Sequence, residues 1–267
     1  RVRPRARGGG VMGAAASGAR GEPRSLLRAN ARRMYFSAEA IDGFLADAPL
    51  AQVRAVNELM GRELALRGAR RRERMMRRAR FPQARSFAGL DCPKVTMPEG
   101  HAPPDLESLG FVDRTEGFVF HGETGRGKSH LAIATGIAAA GAGIETRLFG
   151  TASLAMMLDE ALQEGGLDER LRDISKARLV ALDEFGYVPI TVGGSRALFQ
   201  VVSDCYERRS LVITTNIESG KWGTVLGDDK LAAAMIDRMA RHNRLVEFNG
   251  ASHRMEETLM LGKGKRL

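Results

Sequence analysis

The stretch Phe120–Ala134, "FHGETGRGKSHLAIA", decides which fold is expected for this chain. From Gly122 to Ser129 it matches the pattern G-x-x-x-x-G-K-[ST], with the apolar run "GFVF" before it and an apolar helical run after it. Glycines let backbone N–H groups turn inward around a phosphate, and the start of the following helix adds a positive dipole. A strand, a glycine-rich loop and a helix in this order predict the phosphate-binding loop of an α/β nucleotide-binding domain.

All residues of this loop are expected to contact the nucleotide. They are Gly122, Glu123, Thr124, Gly125, Arg126, Gly127, Lys128 and Ser129, followed by His130 on the first helical turn, which has no chemical role of its own. Lys128 should reach the β- and γ-phosphate oxygens, and the Ser129 hydroxyl should bind Mg²⁺. The predicted cofactors are therefore ATP and Mg²⁺.

Two adjacent acids indicate hydrolysis rather than transfer to a small acceptor. The apolar run "LVAL" should be a buried strand, and Asp183 and Glu184 follow it directly. Ligands of open α/β sheets bind at the carboxyl ends of the strands, so Asp183 can hold Mg²⁺ through water. Glu184 can orient an attacking water or accept its proton. The alternative for Glu184 is a cap on the next turn.

Asn216 ends another expected strand, "SLVITTN". A neutral amide there can polarise the attacking water or contact the γ-phosphate without competing for protons. Asparagine is common at strand ends, so the residue becomes informative only beside the phosphate loop and the acidic pair. Together these three motifs predict an ATPase with Lys128, Glu184 and Asn216 as catalytic residues.

The rest of the chain divides into segments of different composition. Residues 117–227 alternate short apolar runs with helical runs, as a parallel sheet requires. Residues 1–36 are rich in Arg, Gly and Ala and are expected to be a disordered extension. Residues 37–92 have helical periodicity that ends at Pro82. Residues 93–227 are expected to form the ATPase core, and residues 228–267 a mainly helical end with a late strand.

Composition excludes several classes of protein. Two cysteines in 267 residues are too few for a disulfide scaffold, and His121, His130 and His242 have no metal-ligand spacing. No uninterrupted apolar run is long enough to cross a bilayer, so we expect a soluble protein of a reducing, intracellular compartment without a membrane partner. Trp222 is expected to anchor packing rather than to stack on a base.

The net charge of +9 is concentrated near the start of the chain. Residues 1–34 contain nine arginines and one glutamate, and residues 62–80 contain nine arginines and two glutamates. A helix this basic predicts contact with the phosphates of DNA, without reading of its sequence. The predicted DNA-binding residues are Arg70, Arg71, Arg74, Arg77 and Arg78. The alternative is a solvated charged face.

Several longer strings resemble one protein family. They are "RFPQARSFAGLD", "GETGRGKSHLAIA", "LVALDEFGYVPI", "LFQVVSDCYERRSLVITTN", "WGTVLGDDKLAAAMIDRM" and "EFNGASHR", across about residues 45–260. They resemble the ATPase subunits of IS21-class insertion sequences, the IstB-like ATP-binding proteins of the AAA+ superfamily, which are related to bacterial helicase loaders of the DnaC type. Family members usually have Thr where this chain has Ser129, which keeps the hydroxyl.

This resemblance implies a fold and a mode of action. The fold would be an AAA+ P-loop NTPase core, a parallel five-stranded sheet flanked by helices, with a small C-terminal lid and a helical N-terminal DNA-binding domain. ATP would lie between subunits of a homo-oligomer, with Arg238 as the arginine finger given to the neighbour's γ-phosphate. Arg254 would be the lid arginine that contacts phosphate in its own subunit. The expected setting is the bacterial cytoplasm.

The same resemblance names the partners. Double-stranded DNA and an IS21-type transposase are expected, with hydrolysis of ATP to ADP and phosphate resetting the complex. Arg170, Arg172, Lys176 and Arg178 correspond to an insert that faces nucleic acid in related AAA+ proteins. Arg238 could instead form a surface ion pair with Asp237, with Arg241 and Arg244 as lesser finger candidates, and Arg254 could be a solvated charge.

Three other functions fit parts of this pattern. A replicative helicase loader shares nearly every motif, although the strings "DEFGYVPI" and "GDDKLAAAMIDRM" favour transposition. A nucleotide-gated DNA scaffold with little turnover would not need both Glu184 and Asn216. A small-molecule kinase would need an acceptor pocket after Asn216, and it would have no use for the arginine-rich helix.

Overall fold

The structure is a computed structural model that describes residues 14–88 and 95–249, with side chains described from residue 23 onward. The chain forms two compact units, and the boundary falls between Arg71 and Arg72, inside a long helix. The first unit contains helices α1 (Ala14–Arg33), α2 (Ala38–Asp47) and most of α3 (Leu50–Ala79). Among the described residues, no helix is both long and apolar enough to span a membrane.

Part of the expected disordered extension is helical. Residues 1–36 were predicted to be unstructured, but residues 14–33 form α1. Leu27 and Ala31 lie one helical turn apart and are both buried in a cluster with residues of α2 and α3, among them Ile41 and Val53. The prediction is wrong for this segment because two apolar residues on one face are enough to dock a helix whose composition is otherwise typical of disorder.

Within the expected helical region of residues 37–92, the structure has two helices, α2 and α3, which end before Pro82. The Ser37 hydroxyl accepts the N–H of Ala40 and caps the start of α2. The guanidinium of Arg24 donates to the carbonyl groups of Leu45 and Ala48 at its end, at 2.5 and 3.2 Å. The last helix ends at Ala79, before Pro82, and Arg80 has a positive φ of 54°. The residue before proline is excluded from helical geometry, as the sequence predicted.

The second unit is an α/β sandwich. Its strands are β1 (Val95–Thr96), β2 (Gly117–His121), β3 (Thr146–Gly150), β4 (Leu179–Phe185), β5 (Ser210–Thr215) and β6 (Asn243–Phe248). Its helices, after the end of α3, are α4 (Pro103–Ser108), α5 (Gly110–Asp113), α6 (Lys128–Gly141), α7 (Thr151–Gln163), α8 (Leu167–Ile174), α9 (Val192–Cys205), α10 (Trp222–Leu226) and α11 (Asp229–His242), with a 3-10 turn at Ser219–Lys221.

The six strands form one sheet in the order β1-β6-β2-β5-β4-β3. Strands β6, β2, β5, β4 and β3 are parallel, so the five-stranded parallel sheet expected for the ATPase core is confirmed, and β1 adds an antiparallel edge. The fifth parallel strand is β6, which pairs with β2 from Gly117–Asn243 to His121–Glu247. The predicted boundary at residue 227 is therefore wrong, because residues 229–248 belong to the core rather than to a lid.

Alternate residues of the central strands face two separate cores. In β4, Val180 and Leu182 lie in a cluster with α7, α9 and α11. Leu179 and Ala181 lie in a second cluster, which contains α6 and the short helices α4 and α5. Because successive side chains of a strand point to opposite faces, helix α6 covers one face of the sheet, and α7, α9 and α11 cover the other.

Candidate functional site

The loop between β2 and α6 is shaped by three glycines. Gly122, Gly125 and Gly127 have φ angles of 149°, 84° and 94°, a region that other residues rarely adopt. A Cβ atom on Gly122 would also lie 2.6 Å from the carbonyl oxygen of Phe248 in β6. The loop therefore needs glycine both for its backbone turns and for the close passage of the neighbouring strand.

Lys128 lies across this loop. Its side chain is buried, and Nζ donates to the carbonyl oxygens of Gly122 and Glu123 at 2.6 and 2.7 Å. It is the first residue of α6, where the helix dipole is positive. A buried ammonium group at this end of a helix suits a polyphosphate, whose oxygens can replace carbonyl oxygens as acceptors.

The other predicted loop side chains bond to the protein. Arg126 donates to the Phe248 carbonyl at 3.0 Å and pairs with Glu123. Thr124 shares a hydrogen bond with Tyr187, 3.0 Å between the oxygens, and a ring nitrogen of His130 lies 2.8 Å from the Ser86 carbonyl. Contact with a nucleotide through these positions would therefore use the backbone, as the motif requires.

Ser129 and Asp183 meet although they are far apart in sequence. The Ser129 hydroxyl donates to Asp183 Oδ1 at 2.7 Å and joins the start of α6 to β4. Hydroxyl and carboxylate oxygens are the ligands that Mg²⁺ prefers, with waters and substrate phosphates filling the remaining positions. No three His, Cys, Asp or Glu side chains cluster as a metal site in the described ranges, so the pair fits an ion that also binds phosphate.

Glu184 extends from the same strand end. Its side chain is exposed, and its φ of 59° is left-handed, which is uncommon for a residue with a Cβ. The next helix, α9, is capped by Thr191, whose hydroxyl accepts the N–H of Gly194. In the turn after β4, the Glu184 carbonyl accepts the N–H of Tyr187 at 3.4 Å, so Glu184 takes part in this turn through its backbone, as the alternative expected. Its exposed carboxylate directly follows Asp183 in the chain.

Asn216 directly follows β5, which neighbours β4 in the sheet. Its side-chain oxygen is buried without a hydrogen-bond partner in the described part of the chain. Buried acceptors usually have a partner, and a catalytic role or a bound water or ion explains those that lack one in a folded protein. The structure thus brings Asn216, Asp183 and Glu184 to adjacent strand ends, as the sequence predicted.

Arg238 lies elsewhere in the same unit. It is near the end of α11, on the face of the sheet opposite α6, and its guanidinium carbon is 4.5 Å from the ring centre of Phe199 in α9. The strand after α11 begins at Asn243, level with Gly117 at the amino end of β2. The phosphate loop follows the carboxyl end of β2. Arg238 therefore lies near the amino ends of the parallel strands, and its own phosphate loop lies at their carboxyl ends.

The alternative partner expected for Arg238 is engaged with another residue. Asp237 pairs with Arg241 at 3.6 Å, and Arg238 itself donates to the Ala234 carbonyl at 3.3 Å. Arg238 borders an open groove with residues from the second half of α9 and the loop after it. Arg254, the expected lid arginine, is outside the described residues.

The five arginines expected to bind DNA are all exposed on α3. Arg77 pairs with Glu73 at 3.2 Å within the helix. Arg78 is instead 3.3 Å from Glu145 and 3.9 Å from Asp173, so these two acids of its own unit partly balance its charge. In the second basic region, Lys176 pairs with Asp173 and Arg178 with Asp113. The arginines of α3 and of residues 170–178 that have no such acidic partner among the described residues are better candidates for contact with DNA phosphates than these paired residues.

A buried arginine organises the acids around Arg78. Arg147 in β3 is 2.8 Å from Glu145 and 3.7 Å from Asp173. Burial raises the pKa of Asp173, but the hydrogen bond from Lys176 and the charges of Arg147, Lys176 and Arg78 outweigh burial and hold that pKa below its usual value. Asp173 is therefore ionised over a wide pH range.

A sequence model of one protein family matches residues 33–260, and its description is IstB-like ATP binding protein. The chain belongs to this family. Its similarity to the ATP-binding protein of insertion sequence IS5376 from Geobacillus stearothermophilus is 32% identity over 199 residues, 74% of this chain and 79% of the relative. The corresponding protein of insertion sequence IS21 from Pseudomonas aeruginosa is 32% identical over 190 residues, 71% and 72% of the two chains.

The IstB-like family membership agrees with the fold. The solved structure of DnaI matches 62% of this chain and 91% of its own with a TM-score of 0.50 and 18% sequence identity, which supports the AAA+ fold alone. The resemblance read from the sequence is confirmed at the level of family and fold. The IstB-like chain thus has a nucleotide-binding AAA+ core. Its phosphate loop, acidic pair and Asn216 lie at the carboxyl ends of neighbouring parallel strands.

Sequence reasoning missed two residues of this site, Thr151 and Thr214, and one residue beside Arg238, Phe199. The Thr151 hydroxyl donates to the Asp183 carbonyl at 2.8 Å, and Thr214 contacts both acidic residues. Away from this site, Phe199 contacts Arg238. The sequence does hint at the role of Thr214. A threonine in the apolar run "LVITT" should be buried, and a buried hydroxyl needs a hydrogen-bond partner. Nothing in the sequence pairs Phe199 with Arg238.

Proposed function

We propose that this IstB-like protein is a Mg²⁺-dependent ATPase that oligomerises on double-stranded DNA and assists an IS21-type transposase. The observation that carries the ATPase proposal is the 2.7 Å hydrogen bond between Ser129 and Asp183, with Glu184 next in the chain. It joins the phosphate loop to a strand end that holds a second, exposed carboxylate. Binding without hydrolysis would not require that second acid.

Each residue of the site has a role in the attack of water on the γ-phosphate. The loop backbone binds the phosphates, and Lys128 exchanges the carbonyl oxygens of its own loop for phosphate oxygens. Ser129 and, through water, Asp183 would hold Mg²⁺, which supplies charge neutralisation to the phosphates. Glu184 orients the water and accepts its proton, and the Asn216 amide holds the water or the γ-phosphate from the next strand.

The position of Arg238 supports shared sites between subunits. Arg238 lies at the opposite ends of the strands from its own phosphate loop and on the sheet face opposite α6. A contact between Arg238 and a γ-phosphate therefore requires a second copy of the chain. A cation given in trans makes hydrolysis depend on assembly, as arginine fingers do in other NTPases. The oligomer and the ATPase cycle would then be coupled.

DNA binding is supported by charge. Arg70, Arg71 and Arg74 are exposed on a helix with many further arginines. Such a surface favours a polyanion and gives strongly salt-dependent binding without base recognition. The transposase partner is inferred from the relatives, which are named as ATP-binding proteins of insertion sequences. Function in the bacterial cytoplasm follows from the same inference.

A complementation experiment tests the shared site. Lys128→Ala removes the phosphate contact and Arg238→Ala removes the donated cation, so each variant alone should lose DNA-stimulated hydrolysis. Mixed together, they should regain part of the activity, because an Arg238→Ala subunit offers an intact phosphate loop to a neighbour with an intact Arg238. A mixture as inactive as its components would contradict donation in trans.

A second experiment tests assembly on DNA. Glu184→Gln should keep ATP binding and lose hydrolysis, and should therefore accumulate as a DNA-bound oligomer with Mg²⁺ and ATP in analytical ultracentrifugation. Glu218→Gln, an exposed acid paired with Lys221, is the matched control and should behave as the wild type. A Glu184→Gln protein that stays monomeric with ATP and duplex DNA would count against the proposal.

Two alternatives predict other results. A helicase loader should retain a replicative helicase rather than a transposase when both are offered to the ATP-bound protein. A nucleotide-gated scaffold should bind DNA and ATP with little phosphate release, whether or not DNA is added. Phosphate release measured with and without DNA separates this scaffold from the ATPase.

A further inference from the structure

Thr214 in β5 lies opposite both acidic residues of β4. Leu182 pairs with Ile213 and Phe185 pairs with Thr215, so two residues, Asp183 and Glu184, stand opposite Thr214 alone. This is a β-bulge, which bends a strand and redirects its side chains. In a regular strand, adjacent carboxylates would point to opposite faces of the sheet.

The bulge leaves a backbone group of Glu184 without a place in the strand ladder. A left-handed φ at a residue with a Cβ is costly and persists only where the surroundings hold it. Here the N–H of Glu184 donates to the Thr214 hydroxyl at 2.9 Å. The Thr214 hydroxyl thus takes the place of the backbone carbonyl that would accept this N–H in regular strand pairing. It does so at Glu184, where the left-handed φ is costly.

The same hydroxyl acts in the other direction on Asp183. It donates its single proton to Asp183 Oδ1 at 2.5 Å, the oxygen that also accepts the Ser129 hydroxyl. Thr214 is only 1% exposed, so bulk water cannot replace it. One buried hydroxyl therefore holds the carboxylate expected to bind Mg²⁺ and the backbone of the residue expected to orient water.

We propose that Thr214 is a positioning residue for both carboxylates. Its hydroxyl fixes the Asp183 carboxylate for Mg²⁺ and the Glu184 backbone for its catalytic geometry. This inference rests on the proposed ATPase function. It does not extend to the neighbouring threonine, since the Thr215 hydroxyl donates to the Phe185 carbonyl and contacts neither carboxylate.

The test compares Thr214→Val, which keeps the shape and removes the hydroxyl, with Thr214→Ser, which keeps the hydroxyl. Thr146→Val is the matched control, because Thr146 is also buried in a strand and its hydroxyl donates to the Ile144 carbonyl, away from both carboxylates. Two quantities are measured on the full chain: the Mg²⁺ concentration that gives half of the ATP-induced shift in melting temperature, and kcat with DNA present.

Loss of a group that orients a metal ligand typically changes metal affinity or activity by about 10- to 100-fold. Thr214→Val should therefore raise the half-maximal Mg²⁺ concentration about tenfold and lower kcat by a similar factor. Thr214→Ser should stay within about threefold of the wild type, and Thr146→Val should match the wild type in both quantities.

The proposal is overturned if Thr214→Val keeps the wild-type Mg²⁺ requirement. It is also overturned if Thr214→Ser is as impaired as Thr214→Val, including loss of folding, because retaining the hydroxyl would then not preserve either function. A wild-type protein without turnover would refute the proposed ATPase but leave the Mg²⁺ comparison intact, so the two failures are distinguishable.

Discussion

The guanidinium carbon of Arg238 lies 4.5 Å from the ring centre of Phe199. The ring belongs to α9 and the arginine to α11, so the contact ties two neighbouring helices of one core. The face of an aromatic ring attracts a cation and restricts its orientation. The contact thus holds Arg238 at the border of a groove near the amino ends of the strands, away from the phosphate loop.

Phe199→Leu should weaken the donation of Arg238 without removing it. A cation–π contact at a partly exposed site contributes about 0.5–1 kcal/mol, which corresponds to a loss of roughly two- to fivefold in DNA-stimulated kcat. Phe199→Tyr keeps the ring and should retain the wild-type rate. Steady-state phosphate release measures both. Equal rates for the Leu and Tyr variants would show that the ring does not position Arg238.

Asn216→Ala should separate activity from stability. The side-chain oxygen is buried without a partner among the described residues, and such an acceptor costs free energy of folding, about 1–3 kcal/mol. Its removal should leave the melting temperature unchanged or raised, while kcat falls. Thermal melting and phosphate release provide the two readouts. A lower melting temperature for Asn216→Ala would mean that the amide has a structural role.

Gly186→Ala should destabilise the second unit through both backbone strain and crowding. Gly186 has a φ of 96°, and a Cβ atom there would lie 2.4 Å from Ile217 Cδ1. Gly143→Ala is the control for strain alone, because its φ is 83° and its Cβ would meet nothing within 4 Å. We expect a loss of about 1 kcal/mol for Gly143→Ala from strain.

The loss for Gly186→Ala should be larger by about 1–3 kcal/mol, the usual cost of overpacking. Urea unfolding measures both free energies. Equal losses for the two variants would show that Ile217 moves aside freely.

Asp173→Asn should reduce stability at neutral pH and not in acid. The pKa of Asp173 is lowered in the folded protein, so the unfolded chain binds its proton first as the pH falls. The contribution of the carboxylate is therefore complete above the ordinary pKa of aspartate and is lost as the pH falls through the lowered value. Since the Asp173 side chain is 48% exposed, we expect less than about 1 kcal/mol.

Melting temperatures of the wild type and Asp173→Asn between pH 7 and pH 3.5 check this expectation. The difference between the two proteins should shrink towards the acid end. Glu218→Gln, which removes an exposed ion pair with Lys221, should show little difference at any pH. A gap between wild type and Asp173→Asn that widens in acid would be the wrong sign for a lowered pKa.

Local sequence determined the elements of the candidate site. The glycines and Lys128 specify a loop between a strand and a helix, because glycine adopts those backbone angles at least cost and the start of a helix has unpaired N–H groups. Asp183 and Asn216 follow apolar strands, and parallel strands end at one edge. The meeting of these residues could therefore be predicted without a structure.

Other features escaped sequence reasoning because they depend on long-range packing. The segment of residues 14–33 is helical because Leu27 and Ala31 dock on α2 and α3, and its composition alone does not indicate this. Strand β6 joins the sheet beside β2 because its register buries Val246 and Phe248 in the core. Its local sequence is equally compatible with a strand in a separate lid.

The sequence by itself determined the family, the glycine loop and the residues proposed to contact the phosphates, since these follow from spacing along one chain. Only the tertiary structure decided that Thr214 stands opposite both Asp183 and Glu184 and that Arg238 lies at the other ends of the strands from its own phosphate loop. Strand register and helix packing set these relationships, because they join residues through contacts that no local pattern encodes.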